Sequence, residues 1–190
     1  FTEFWCSDNT DAIERLTIQF GTSMCYPISS FGAHVAARPR TSLKTRGNVA
    51  MCGTFGYELD PRKLTDDEKA EVKQQIADYR KYHRLVREGD FYRLVSPTEN
   101  DFYCAWEFVS PDKQEAMMTA VVMRQPETRY CVQRLRGLDP KTYYQDEETG
   151  TVYSGAMLMN AGLNLTRDVY EDGTSVAKHF KAVKWSRRNS

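Results

Sequence analysis

The stretch Trp5-Cys6-Ser7-Asp8-Asn9-Thr10-Asp11 sets two carboxylates three residues apart, just ahead of the amphipathic run AIERLTIQF. Two kinds of chemistry suit that placement. Carboxyl groups can do general acid and base work when one is held protonated at working pH. An Asp just ahead of a helix can instead cap it, accepting hydrogen bonds from the unpaired amides of the first turn. The two readings compete for any one side chain. A carboxylate that holds several amides is stabilised as the anion and makes a poor proton donor, whereas a general acid needs a pKa raised by burial or by a nearby carboxylate. If Asp11 or Thr10 caps the helix, Asp8 is left free at the end of a strand, where α/β barrels collect their catalytic groups. Spacing alone leaves both readings open for Asp8.

Other candidates are weaker. His34 lies among small residues in FGAHVAA with no acidic neighbour in sequence, which favours a structural histidine over a metal ligand. Arg38, Arg40, Lys44 and Arg46 could together contact an anion, or simply form a solvated loop. Trp5 could stack on a sugar face or pack in the core. His83 and His179 are assigned no role. The five cysteines are widely spaced in apolar settings such as MCYP, YCAW and YCVQ, with no CxxC pair. That argues against zinc or thioredoxin-type chemistry and for buried free thiols.

The bulk composition narrows the partners. Basic and acidic residues number 26 each, so nothing in the charge seeks a polyanion, and nucleic acid is not expected. Hydrophobic residues make up 41% and aromatics 12%, enough for a sizeable core. No run reaches the roughly 18 apolar residues that mark a membrane-spanning helix, and no membrane partner is expected. The first residue is Phe, and the chain starts without a basic leader or apolar signal core. The expectation is a fragment with an upstream part missing, which leaves the compartment open.

The elements that must position these groups fall into two parts, divided near residue 89. In residues 1–89, Asp11 to Phe20 has helical spacing with Gly21 as its stop, and TSMCYPIS reads as a short buried strand. SSFGAHVAARPRTSLKTRG reads as a long loop, and NVAMCGTFGYEL as the next apolar run. Thr65-Asp-Asp-Glu68 is a capping box opening a long helix that closes at Gly89. Strand alternating with helix is α/β grammar. In residues 90–190, FYRLVS, FYCAWEFVS, EAMMTAVVM, RYCVQRL, TVYSGAML and VAKHFKAV are β-prone runs separated by turn signals. They predict an antiparallel β-sandwich, and the basic KHFKAVKWSRRNS reads as a solvated end.

The blocks WCSDNTDAIERLTIQFGTSMCYP, FGAHV, LKTRGNVAMCGTFGYELD and GDFYRL, in that order, closely resemble the α-galactosidases of glycoside hydrolase family 36. The likeness runs to about residue 165. It implies the C-terminal part of a (β/α)8 TIM barrel over residues 1–89 and a small antiparallel β-sandwich domain over 90–190. It also implies a retaining hydrolase of terminal α-galactosyl groups in melibiose- and raffinose-type oligosaccharides, with no metal or organic cofactor and a homotetrameric full-length protein. Retention uses two carboxyls about 5–5.5 Å apart, one attacking and one donating the proton. The family's donor is the Asp of the S-D-N-T-D block, here Asp8, with Trp5 and Cys6 as candidate substrate-binding residues. Its nucleophile belongs to an upstream Lys-x-Asp motif that nothing in this chain matches. The isolated chain is therefore expected to be inactive and poorly soluble. The closing KWSRRNS departs from the family's final β-strand. Two alternatives remain: a raffinose-synthase-like galactosyl transferase, and a non-catalytic carbohydrate-binding β module.

Overall fold

The computed structural model describes residues 3–37, 40–125 and 131–184. Its first part alternates strand and helix: β1 (Phe4–Trp5), α1 (Ala12–Ser23), β2 (Phe31–Ala36), α2 (Leu43–Ala50), β3 (Thr54–Glu58) and α3 (Asp66–Glu88). The strands form a parallel sheet in the order β1-β2-β3, with Trp5 level with Gly32 and His34 level with Gly56. All six residues of β2 are buried. A strand covered on both faces has no polar alternation to betray it, which is why the run 29–47 reads as loop. That expectation is corrected here: the segment contains all of β2 and the start of α2.

α2 forms despite Gly47 in its middle. The Ser42 hydroxyl accepts from the Thr45 amide, closing the helix start. Gly47 makes room for its neighbour, since a Cβ there would lie 2.5 Å from the amide end of the Gln75 side chain of α3 and would displace it. Gln75 in turn donates to the Leu43 carbonyl at 3.0 Å and accepts from the Tyr57 hydroxyl at 2.9 Å. The close approach of α2 and α3 thus depends on a residue that weakens a helix in isolation. The capping box on α3 is present, with Glu68 N donating to Thr65 Oγ1 at 3.2 Å and Thr65 N to Glu68 Oε2 at 2.9 Å. The expected strand over TSMCYPIS is not. α1 passes through Gly21 to Ser23, the Met24 amide then donates to the Gly21 carbonyl while those of Cys25 and Tyr26 donate to Thr22 O, and a single 3-10 turn follows at Ile28–Ser30.

The second part contains β4 (Asp90–Val95), β5 (Tyr103–Val109), β6 (Glu115–Val122), β7 (Val132–Gln133), β8 (Tyr143–Asp146), β9 (Val152–Ser154), α4 (Gly155–Asn160), β10 (Leu163–Asn164) and β11 (Ser175–Val183). Six of the strands make an antiparallel sheet in the order β4-β5-β6-β11-β8-β9, and β7 pairs with β10 in a separate ribbon. TVYSGAML splits into β9 and α4, because the Ser154 hydroxyl accepts from Met157 N and starts a helix there. RYCVQRL yields only the two residues of β7, and its Arg129 and Tyr130 lie outside the described residues, as do residues 185–190 of the basic end.

One hydrophobic cluster lies within the second part, around Met118, Leu135, Tyr144, Leu158, Leu165 and Phe180. Another crosses the division at residue 89, joining Ala12, Leu16, Phe31, Val49, Cys52, Leu85 and Val86 to Cys104, Trp106, Phe108, Met117 and Val121. Each large apolar side chain fully buried there is worth about 1.5–3 kcal/mol. Polar ties cross the same seam. The Ser175 hydroxyl lies 2.9 Å from Thr45 Oγ1 and accepts from Asn48 Nδ2 at 2.9 Å. Glu147 accepts from Lys81 Nζ at 2.6 Å and the Tyr82 hydroxyl at 3.0 Å.

Candidate active site at the end of the first parallel strand

The turn between β1 and α1 is built by short polar side chains. The Ser7 hydroxyl accepts from the Asn9 amide at 3.0 Å, and Asn9 Oδ1 accepts from the Asp11 amide at 2.9 Å. Asp11 then caps α1: its Oδ1 accepts from Ile13 N at 3.0 Å and Glu14 N at 3.1 Å. Asp11 is buried, whereas Asp8 is exposed and makes no hydrogen bond or ion pair among the described residues. The structure therefore gives the two aspartates different work, with the amides going to Asp11.

Beneath this turn lies Arg15, 2% exposed and without a carboxylate partner among the described residues. Its Nη1 donates to the carbonyls of Ser7 and Asn9 at 3.2 and 3.4 Å, its Nη2 to Gly32 O at 2.8 Å, and its Nε to Gln19 Oε1 at 3.2 Å. Gln19 is itself fixed to α2 through Nε2 and the Val49 carbonyl at 3.1 Å. Sequence reasoning missed both residues. The signal that could have found them is their spacing, because Arg15 and Gln19 share the buried stripe of α1 with Ala12, Leu16 and Ser23.

The sheet face away from α1 and α2 carries Trp5, Gly32, His34 and Glu58. Trp5 is 57% exposed and stacks on His34 with ring centroids 4.4 Å apart at 16°. Gly32 lets the indole lie flat, since a Cβ there would sit 3.2 Å from Trp5 Cε3. His34 belongs to β2, not to a loop, and its Nε2 is 2.9 Å from Glu58 Oε2, an acidic partner distant in sequence. Burial first, and the Arg15 charge second, hold the His34 imidazole below its ordinary pKa against the pull of Glu58. Cys6 turns the other way: its Sγ lies 3.8 Å from Gly32 O, and it packs against the cluster around Leu16 and Phe31.

The remaining candidates do not converge on this face. Arg40 reaches back to Asp11 Oδ2 and Glu14 Oε1, both at 3.4 Å. Arg46 is buried on the Ala36 carbonyl, Lys44 faces a cleft elsewhere, and Arg38 lies outside the described residues. Arg40, Lys44 and Arg46 thus do not converge on a common anion site, and Arg46 is not part of a solvated loop but buried in α2. His83 Nδ1 lies 2.9 Å from Arg80 O on α3, while His179 bridges Glu147 at 2.6 Å and Glu115 at 2.8 Å. Among the described residues no group of three or more His, Cys, Asp or Glu is arranged to hold a metal ion. Cys25 is exposed, but Cys52, Cys104 and Cys131 are buried free thiols, and burial lifts Cys104 to about 12. A cleft of about 810 Å³ lies between α2, α3 and β11, and neither Trp5 nor Asp8 lines it.

Two family models match the chain: Melibiase over residues 1–89, and Glycosyl hydrolase family 36 C-terminal domain over residues 103–180. The chain belongs to glycosyl hydrolase family 36. Among family 36 relatives it is 51% identical over 168 residues to α-galactosidase AgaA of Geobacillus stearothermophilus, a match that takes in 85% of this chain and 23% of the relative. It is 46% identical over 170 residues to the bifunctional α-galactosidase/sucrose kinase AgaSK of Mediterraneibacter gnavus, covering 86% of this chain and 18% of that one. Among solved structures, the galactosidase domain of AgaSK superposes with a TM-score of 0.90 at 43% identity, covering 96% of this chain and 26% of that one. A structure of Geobacillus stearothermophilus AgaA in complex with raffinose gives 0.87 at 47% identity, covering 93% and 25%. The chain thus spans about a quarter or less of the length of these relatives.

Proposed function

We propose that this chain is part of a retaining α-galactosidase acting on terminal α-galactosyl groups of raffinose-type oligosaccharides, with Asp8 as its acid/base. The observation that carries the assignment is the division of labour in the β1–α1 turn. Asp11 takes the first-turn amides of α1, and Asp8 stands exposed and unpaired three residues beyond Trp5. The names of the relatives support the activity, and the raffinose-bound relative supports the substrate class. In this reading residues 1–89 are the closing part of a (β/α)8 barrel, which the parallel order β1-β2-β3 supports. Residues 90–190 are its β-sandwich domain, and the full-length protein is a homo-oligomer, by resemblance a tetramer.

The chemistry follows from the placement. The Asp8 carboxyl gives its proton to the glycosidic oxygen as the aglycone leaves, then as carboxylate takes a proton from the water that releases galactose. Asp11 cannot be the nucleophile, because its side chain is buried and its Oδ1 already holds two amides. By resemblance to the family, the second carboxylate is the Asp of an upstream Lys-x-Asp motif, which nothing in this chain matches. The exposed indole of Trp5 offers the sugar an apolar face, and Cys6 holds the end of β1 against β2 so that Trp5 and Asp8 stay beside it. In the full-length protein, Asp8→Ala is expected to lower kcat/KM on raffinose by about 10²–10⁴-fold, with azide restoring turnover on an activated galactoside. Wild-type turnover in that variant refutes the assignment.

A further inference from the structure

We infer that Arg15 is a positioning residue for Asp8, its guanidinium fixing the strand-end turn to the neighbouring strand. The inference rests on the acid/base reading of Asp8. Its basis is where the four hydrogen bonds of Arg15 go. Two end on the carbonyls of Ser7 and Asn9, the residues that bracket Asp8, and a third ends on Gly32 O, in the strand residue level with Trp5. One rigid plane thus spans the turn that carries the acid and the strand that supports the indole. The fourth bond, to Gln19 and through it to Val49 of α2, holds that plane edge-on. Arg15 leaves the Asp8 side chain untouched.

The residue type matters. A guanidinium presents five donors in a fixed fork, so any rotation of the 7–9 turn or slip of β1 against β2 breaks bonds on both sides at once. A lysine ammonium in the same volume keeps the charge but cannot span acceptors on two segments. Burying a cation among carbonyls without a carboxylate is costly. Here the acceptors are all fixed dipoles, which leaves Asp8 as the free carboxylate of this turn.

The test compares kcat/KM, which reports the glycosylation step, for two substrates of the full-length protein. Raffinose has a poor leaving group and needs the proton, and a dinitrophenyl α-galactoside does not. Arg15→Lys is expected to lower kcat/KM for raffinose about 100-fold, the scale of a misplacement near 1 Å. It should leave the dinitrophenyl substrate within about threefold, because its departure needs no general acid. Gln19→Met, which frees one edge of the guanidinium, should show the same split at smaller size and keeps the test open if Arg15→Lys fails to fold. Equal losses on both substrates, or no loss on either, overturn the inference. Asp8→Ala run alongside separates the two claims. A split there without one in Arg15→Lys and Gln19→Met removes only the role of Arg15, whereas no split in Asp8→Ala removes the acid/base reading itself.

Discussion

Glu107 offers a quantitative test of the second part of the chain. It lies in β5 opposite Tyr92 and Met118, fully buried, with Oε2 accepting from Arg136 N at 2.8 Å and Oε1 without any partner among the described residues. Burial raises its carboxyl from 4.5 to about 8, against the smaller downward pull of the Arg136 amide and charge. A carboxyl whose pKa is higher folded than unfolded costs nothing at acid pH. As pH rises past 4.5 the unfolded chain ionises and the folded one does not, so stability falls by about 1.4 kcal/mol per pH unit until about pH 8. At pH 7, two and a half units above 4.5, the loss is about 3 kcal/mol. Glu107→Gln removes this dependence and adds a fixed cost of about 1–3 kcal/mol for an amide donor facing the unpartnered Oε1 position. The variant should be less stable than wild type near pH 5 and equal or more stable near pH 8. Urea unfolding at a series of pH values, followed by tryptophan fluorescence, measures the difference, with Trp106 in the same strand as reporter. A stability difference that stays constant from pH 5 to pH 8 refutes the reasoning.

Two further substitutions test the first part. Asp11→Ala removes both amide bonds at the start of α1 and should lower stability by about 1 kcal/mol, read as a fall in melting temperature. Gly21→Ala should do the reverse, because Gly21 sits inside α1 with no atom within 4 Å of the place an alanine methyl would take, and alanine there adds about 0.5–1 kcal/mol of helix stability.

What could be read from the amino-acid order alone follows the strength of local signals. α3 carries its own start in Thr65 and Glu68, and its bounds need no tertiary information. β4, β5, β6 and β11 are β-rich runs bounded by turn residues, and they were visible for that reason. α2 was not, because the fitness of Gly47 lies in Gln75 on another helix. β8 was not, because four residues between Thr142 and Glu147 give too short a pattern. At the candidate site, the separation of Asp8 from Asp11 could be posed from sequence but not decided, since it depends on which oxygens the first-turn amides reach. The clamp under the turn is signalled only by the place of Arg15 and Gln19 on the buried stripe of α1, because an arginine on a helix otherwise reads as surface.

The cluster that joins Leu16, Phe31 and Leu85 to Trp106, Phe108 and Met117 bears on how such proteins can be recombined. The two family models divide the chain between residues 89 and 103, which invites exchange of the halves as modules. The interior makes that exchange unsafe. A chimaera cut at residue 89 would set helices shaped for one β-sheet against the side chains of another, and the mismatch would fall directly behind the strand end that bears Asp8. Crossovers that keep α1, α2 and α3 with their own β5 and β6 preserve that interior.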